Sequence, residues 1–166
     1  MHDQLLMLFF CLISYLPTAI VRERVIGTSR ILLEFGVINL LVQLMFLPLA
    51  YLFQQAFPTM KIYSLGLWPV IMCEIVIDCN WLPDMERPFC FCPFMLKSKY
   101  HPILYVLLFA VMNFPGSCSI IAGFLTGYLF VFGVLSWLMI SKEFGTWFEE
   151  KFLCCVSENW SFVKQS

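Results

Sequence analysis

Long apolar stretches separated by short polar connectors make up most of this sequence. Five stand out, and they are Leu5–Ile20, Ile31–Phe53, Leu65–Cys79, Pro102–Phe114 and Cys118–Ile140. A helix needs about 20 mainly apolar residues to cross a bilayer, so the second and fifth stretches are long enough and the others are short. The pattern predicts an all-α fold, a polytopic transmembrane helical bundle with about five membrane segments.

The composition favours the same class of protein. Of the 166 residues, 61% are hydrophobic and only 13% are charged, whereas a soluble domain carries about 25% charged residues. The net charge of -1 argues against nucleic acid as a partner, because nucleic-acid binding needs a basic surface. We therefore expect membrane lipids and transmembrane proteins as partners, with no cofactor and no small-molecule substrate.

The positive charges predict how the chain crosses the membrane. If the connector after the first stretch is cytosolic and the sides alternate, nine of the 10 Lys and Arg residues fall on the cytosolic side and only Lys61 falls outside. Cytosolic connectors are enriched in Lys and Arg. The count predicts a lumenal N-terminus, a transmembrane domain over residues 1–140, and a cytosolic tail over residues 141–166.

The start of that tail predicts an amphipathic helix lying on the membrane surface. Its apolar residues recur at helical spacing, which is typical of an interfacial helix. They are Phe144, Trp147, Phe148, Phe152 and Cys155. The same stripe would also suit a cytosolic helix docked on a partner.

A stripe of small residues marks the last long stretch. Gly116, Ser119, Gly123 and Gly127 fall on one side of a helix, and the last two form a GxxxG. Small residues let the backbones of two helices approach closely in lipid. We therefore predict that this helix packs tightly against another.

Polar residues interrupt two of the apolar stretches. Asn39 and Gln43 share a helical face with Gly36, and we expect that face to point into the bundle rather than into lipid. Glu74 and Asp78 are one turn apart in the third stretch. A carboxylate inside a membrane costs a few kcal/mol unless it is neutral or paired. Glu74 therefore suits either a hydrogen-bonded bundle residue or a contact for another membrane helix, and Asp78 suits pairing with Arg24, Arg30 or Arg87.

The cysteines do not indicate a metal site. Cys90 and Cys92 form a CxC in a connector, but a zinc site would need a second pair or a histidine at suitable spacing. Four others, namely Cys11, Cys73, Cys79 and Cys118, lie within apolar stretches. There they are expected to act as small buried hydrophobic residues.

Three local motifs resemble the rhomboid superfamily. The connector Glu23–Ser29 (Glu-Arg-Val-Ile-Gly-Thr-Ser) is similar to the Glu-Arg-x-x-Gly-Ser that follows the second helix of the rhomboid core, with Arg24 and Gly27 at its matching positions. Gly66–Pro69 stands where rhomboid proteases have Gly-x-Ser-Gly, and Ser119–Gly127 stands where they have Ala-His-x-x-Gly-x-x-x-Gly. The resemblance covers roughly residues 5–140 and implies a rhomboid-like core.

The departures from the protease pattern imply an inactive member. Trp68 and Ile120 occupy the positions of the catalytic serine and histidine. Neither side chain can act as a nucleophile or as a base. The chain most resembles the rhomboid-like membrane proteins that carry a ubiquitin-associated domain, and more distantly the derlins. That resemblance implies a pseudoprotease of the endoplasmic reticulum membrane that binds membrane-protein clients as an adaptor in quality control or trafficking.

Two other functions remain open from the sequence. The chain could be a structural accessory subunit of a large membrane complex, for example in the mitochondrial inner membrane. It could also be an enzyme or a proton-coupled carrier that uses Glu74 and Asp78. The first is favoured by a compact chain with no recruiting domain, and the second by two carboxyl groups one turn apart.

Overall fold

The structure is a computed structural model that describes residues 27–88 and 95–135, together with the single residues Ile20, Glu23, Arg24, Leu138, Glu143, Phe144, Trp147 and Lys151. Contacts divide the chain into two compact units. Met1–Val37 and Trp137–Ser166 form one, and Ile38–Ser136 form the other. The predicted first segment, apart from Ile20, and most of the predicted surface helix lie outside the described residues.

The described part of the chain is mostly helical, with four α-helices and one short hairpin. The helices are α1 (Thr28–Ala56), α2 (Trp68–Trp81), α3 (His101–Met112) and α4 (Phe114–Val131). Strands β1 (Glu86–Pro88) and β2 (Met95–Lys97) lie between α2 and α3, and a 3-10 turn at Ser98–Tyr100 leads into α3.

Two of these helices are long and apolar enough to cross a membrane. They are Arg30–Ala56, with a mean hydropathy of 2.0, and Phe114–Val131, with a mean hydropathy of 1.5. The other two are too short by length, since α2 has 14 residues and α3 has 12, or about 21 and 18 Å at 1.5 Å per residue. The helical class is therefore confirmed, and the structure gives two candidate spans among the described residues.

Three helices begin with a proline in the first turn. Pro69, Pro102 and Pro115 occupy the first or second position of α2, α3 and α4. Proline suits this position because the first N–H groups of a helix have no partner within the helix, and its fixed φ is already helical. The prolines in the sequence thus mark the starts of α2, α3 and α4.

The boundaries of α4 correct the prediction of a span over Cys118–Ile140. The helix begins at Phe114, because the Asn113 side chain accepts a hydrogen bond from the N–H of Gly116 (3.3 Å) and caps the first turn. It ends at Val131, and Gly133 follows with a φ of 81°. That left-handed conformation suits glycine and ends a helix. Hydropathy continues beyond Val131, but the helix does not.

A second correction concerns Asn80–Lys99, which the sequence suggests is a loop. Its ends pair as an antiparallel hairpin in which Glu86 is opposite Lys97 and Pro88 is opposite Met95. Each strand has only three residues. That is too short for the alternation of polar and apolar residues to be visible in the sequence.

The core of the larger unit is built around α4. This helix packs against both α2 and α3, and 56% of its apolar window is buried, compared with 17% for α1. The start of α4 also contacts the end of α1, where Phe114 lies 6.4 Å from Phe53 and 5.4 Å from Phe57 between ring centroids. We therefore treat α4 as the central helix and α1 as a peripheral one.

In the smaller unit, the connector before α1 turns at Gly27. Its φ is 86°, which a residue with a Cβ adopts only at a cost. Glu23 holds the connector, since its carbonyl accepts from the Gly27 N–H (2.9 Å) and its carboxylate accepts from the Thr28 hydroxyl (2.6 Å). Arg24 is exposed, and both of these hydrogen bonds are made by Glu23.

Candidate functional site

The candidate site is the crossing of α2 and α4, which brings together the predicted small-residue face and Trp68 and Ile120, the two positions that the sequence resemblance aligns with a catalytic pair. A Cβ added at Gly123 would collide with the backbone carbonyl of Pro69. One added at Gly127 would lie 2.7 Å from the Cβ of Val76 and 2.9 Å from the carbonyl oxygen of Cys73. The prediction of tight packing through the GxxxG is therefore confirmed, and the partner is α2.

Hydrogen bonds hold the segment before α2 against the first turns of α4. The Ser119 hydroxyl accepts from the N–H of Leu65 (3.2 Å) and donates to the carbonyl of Gly116 (2.8 Å). The Tyr63 hydroxyl donates to the Asn113 side-chain oxygen (2.9 Å), which is the oxygen that caps α4. These contacts fix where α2 starts relative to α4.

Ser119 is among the residues predicted from the sequence, whereas Tyr63 and Asn113 are not. The signal for Asn113 was present, because asparagine two residues before a proline is typical of a helix N-cap. Tyr63 gave no such signal, since its partner is 50 residues away in the chain.

Trp68 and Ile120, the two positions that the resemblance singled out, are filled by apolar packing. Ile120 is fully buried and forms a cluster with Met72 and Val76. Trp68 packs against the same cluster, and its ring lies 5.0 Å from that of Phe109 on α3 in an edge-to-face arrangement. The remaining members are partly buried, and they are Leu65, Tyr105, Val106, Phe124 and Tyr128.

This arrangement leaves no chemistry of the serine–histidine kind at these two positions. An indole and an aliphatic side chain neither attack a carbonyl nor accept a proton. The Trp68 Nε1 is buried, and no described residue accepts its hydrogen. The crossing therefore supplies one buried donor within an apolar cluster and is best described as a packed core.

The carboxyl groups of the third apolar stretch lie on α2. Glu74 is 2% exposed, and Asp78, one turn later, is half-buried. Arg30, which was a predicted partner of Asp78, forms an ion pair with Glu34 on its own helix (2.9 Å). Glu34 is 7% exposed and Arg30 is half-buried, so the carboxylate is largely covered and its charge is paired.

The predicted orientation of the Asn39 face on α1 is wrong. Asn39 is exposed and Gln43 is half-buried, whereas the buried positions in this part of α1 are Ile38 and Val42. Gly36 is also exposed, and a Cβ there would meet nothing within 4 Å. Gly36 and Asn39 therefore point away from the buried side of the helix, and Gln43 is only partly covered.

No metal site is present within the described residues, where no three His, Cys, Asp or Glu side chains come together. Cys73, Cys79 and Cys118 are buried and form no disulfide with a described residue, as expected for small core residues. Cys90 and Cys92 lie outside the described residues.

Comparisons with known proteins identify no relative: no protein-family model, curated protein or solved structure matches this chain.

The Ser119 hydrogen bond gives a first prediction. Ser119→Ala should lower the free energy of unfolding by about 1–3 kcal/mol, because it leaves the Leu65 N–H without an acceptor. Ser117→Ala is the matched control, since Ser117 is equally buried and its hydroxyl donates to the carbonyl of Phe114 on its own helix (2.6 Å). Thermal unfolding in detergent micelles compares the two. Equal losses would mean that the link between Leu65 and Ser119 does not stabilise the crossing.

Proposed function

We propose that this chain is a non-catalytic, rhomboid-like, multi-pass membrane protein that binds transmembrane clients as an adaptor in quality control or trafficking at the endoplasmic reticulum. The observation that carries the proposal is the apolar cluster at the α2–α4 crossing. The positions that match a rhomboid serine and histidine, Trp68 and Ile120, both belong to it. On this proposal, the side chains at these two positions contribute to packing and supply neither a nucleophile nor a base.

Embedding in a membrane is supported by the exposure of α1. Its window of mean hydropathy 2.0 is only 17% buried, and many of its large apolar side chains face outward, including Leu40 (62%), Leu47 (64%) and Tyr51 (66%). A soluble monomer rarely exposes so large an apolar surface. Lipid or another membrane protein is the surrounding that suits such a helix.

The rhomboid-like arrangement is supported by the small-residue face of α4. Gly123 and Gly127 lie against α2, which is the pairing that the resemblance implies for the helices bearing the two active-site motifs. The short α2 and α3 would then be membrane segments that do not span the whole bilayer, and the distribution of Lys and Arg agrees with the proposed five-segment topology.

Co-purification from gently solubilised membranes tests the proposal. We expect ubiquitin ligases, the machinery that extracts proteins from the endoplasmic reticulum, or a varied set of membrane proteins to be recovered by mass spectrometry. An unrelated membrane protein with the same tag is the control. A fixed, stoichiometric set of respiratory-complex subunits would instead establish the chain as a structural subunit and overturn the proposal.

A substitution at the buried carboxyl group of Glu74 distinguishes an adaptor function from that of a proton-coupled carrier or an enzyme. Glu74→Gln keeps the size of the side chain and removes its charge. We expect this variant to recover the same membrane proteins as the unmodified chain, to within about twofold, because hydrophobic packing rather than a proton transfer holds clients on this view. Recovery is measured by quantitative mass spectrometry at matched expression. A transport or hydrolytic activity that disappears in Glu74→Gln would contradict the adaptor function.

A further inference from the structure

The side of α1 that faces away from the core has the pattern of a helix-pairing surface. Leu40, Gln43, Leu47 and Ala50 are separated by three, four and three residues, which is the spacing of a heptad seam. We call these four residues the α1 seam. At 100° per residue the seam lies about 140° around the helix from the buried pair Ile38 and Val42.

The seam is accessible in the described structure. Leu40 and Leu47 are 62% and 64% exposed, whereas Ile38 and Val42 are 3% and 0% exposed. Gln43 and Ala50, which lie between and beyond the two leucines, are half-buried. Ile38 and Val42 therefore lie on the buried side of the helix, and the two leucines of the seam are open in the part of the chain that the structure describes.

A polar amide interrupts this apolar surface. Neither Gln43 nor the neighbouring Asn39 makes a side-chain hydrogen bond to another described residue. In a bilayer an amide without a partner is costly, and polar side chains on membrane helices pair across helix–helix contacts. An amide near the middle of a 27-residue apolar helix therefore calls for a polar partner at the same depth.

We infer that the α1 seam is the contact between two copies of this chain, which pair as a parallel dimer with the two Gln43 amides facing each other. Copies with the same topology in one membrane place Gln43 at the same depth in each. An amide has both a donor and an acceptor, so two of them bond reciprocally across a two-fold axis. A foreign helix would need its own polar residue at this depth.

The leucines on either side complete the contact. Leu40 and Leu47 flank Gln43 one turn away on each side, and in a parallel dimer each meets its own counterpart. A single polar residue in such an apolar seam fixes the register and the orientation of the helices. The inference rests on the membrane embedding proposed above and is independent of client binding.

Dimerisation in liposomes tests the inference. Energy transfer between differently labelled copies is measured as the ratio of protein to lipid is varied. The unmodified chain should dimerise, Gln43→Leu should weaken association about tenfold, and Gln43→Asn, which keeps the amide, should retain it. Gln43→Leu keeps the size of the side chain and makes it more apolar, so it is not expected to disturb insertion.

Photo-crosslinking locates the contact. A photoreactive residue at position 47 should yield a product of twice the chain mass, and one at position 52 should not. Leu47 and Leu52 are similarly exposed (64% and 61%) but lie about 140° apart around α1. Dimers crosslinked equally from both positions, or a Gln43→Leu variant that dimerises as well as the unmodified chain, would overturn the inference.

The Gln43→Leu variant distinguishes the dimer inference from the client proposal when its dimerisation and its recovery of membrane proteins are both measured. If Gln43→Leu loses dimerisation but recovers the same membrane proteins, the inference holds beside the adaptor function. If the variant loses client proteins while its dimerisation is unchanged, the seam binds clients and the dimer inference is wrong. A chain that alkaline carbonate extracts from membranes would refute the embedding on which both rest.

Discussion

Gly123→Ala is expected to destabilise the fold strongly, although it adds a single methyl group. The new Cβ would collide with the carbonyl of Pro69. Because that neighbour is backbone in the first turn of α2, no side-chain rotation relieves the overlap, and the two helices must move apart. We expect a loss of at least about 3 kcal/mol in the free energy of unfolding, the upper end of overpacking.

Gly36→Ala is the matched control on α1. It makes the same change in another apolar helix, but a Cβ at Gly36 meets nothing within 4 Å. Alanine has the higher helix propensity, by about 1 kcal/mol, so this variant should be neutral or slightly more stable. Gly127→Ala should resemble Gly123→Ala, since its Cβ would crowd both Val76 and the carbonyl of Cys73.

Thermal unfolding in detergent micelles, followed by circular dichroism, ranks the three variants. The crossing of α2 and α4 is supported if Gly36→Ala unfolds at a higher temperature than the unmodified chain and both other variants unfold at much lower temperatures. If Gly123→Ala unfolds together with Gly36→Ala, the two helices do not approach closely at this point, and the comparison of Trp68 and Ile120 with an active site loses its basis.

The same crossing illustrates what the sequence predicts well. Glycine repeated every four residues is a local pattern with one physical meaning, a helix face without side chains. Gly123 and Gly127 therefore identified the packed face of α4 without knowledge of the partner. The partner is α2, whose Pro69, Cys73 and Val76 lie more than 40 residues away in the chain, and no local pattern names it.

The ends of α4 show a limit of hydropathy. Apolar residues continue from Cys118 to Ile140, and hydropathy alone predicts a helix of that extent. The backbone instead follows the Asn113 cap and the left-handed Gly133. Both signals are present in the sequence, but capping concerns the orphan N–H and C=O groups at helix ends, to which a hydropathy scale is insensitive.

The orientation of α1 shows a deeper limit. In a soluble protein, the polar side of a helix faces water and identifies the outside. A helix that is apolar on nearly every side has no such marker, so Asn39 and Gln43 suggested the inside. The buried positions are instead Ile38 and Val42, and Asn39 is exposed. A polar side chain in such a helix needs a hydrogen-bonding partner, and that partner can belong to the same chain or to another chain.

Ile120→Ala is the second substitution expected to have a large effect, because it empties the centre of the apolar cluster. Ile120 is fully buried against Met72 and Val76. Truncation of a buried isoleucine to alanine removes favourable contacts and leaves a cavity, which costs about 2–5 kcal/mol. Ile103→Ala is the matched control on α3, since Ile103 is 47% exposed and should lose less than about 1 kcal/mol.

Ile120→His links this stability to the proposed lack of catalysis. It introduces the imidazole that the protease pattern would have at this position, but it places a polar ring in the cluster of Met72 and Val76, where burial of an unsatisfied group costs about 1–3 kcal/mol in addition to the lost packing. We expect the double variant Trp68→Ser, Ile120→His to be less stable than either single variant. We also expect it to cleave no transmembrane substrate and to react with no serine-directed probe. Cleavage by this variant, with stability unchanged, would show that the site is still shaped for proteolysis and that only two side chains separate this chain from an enzyme.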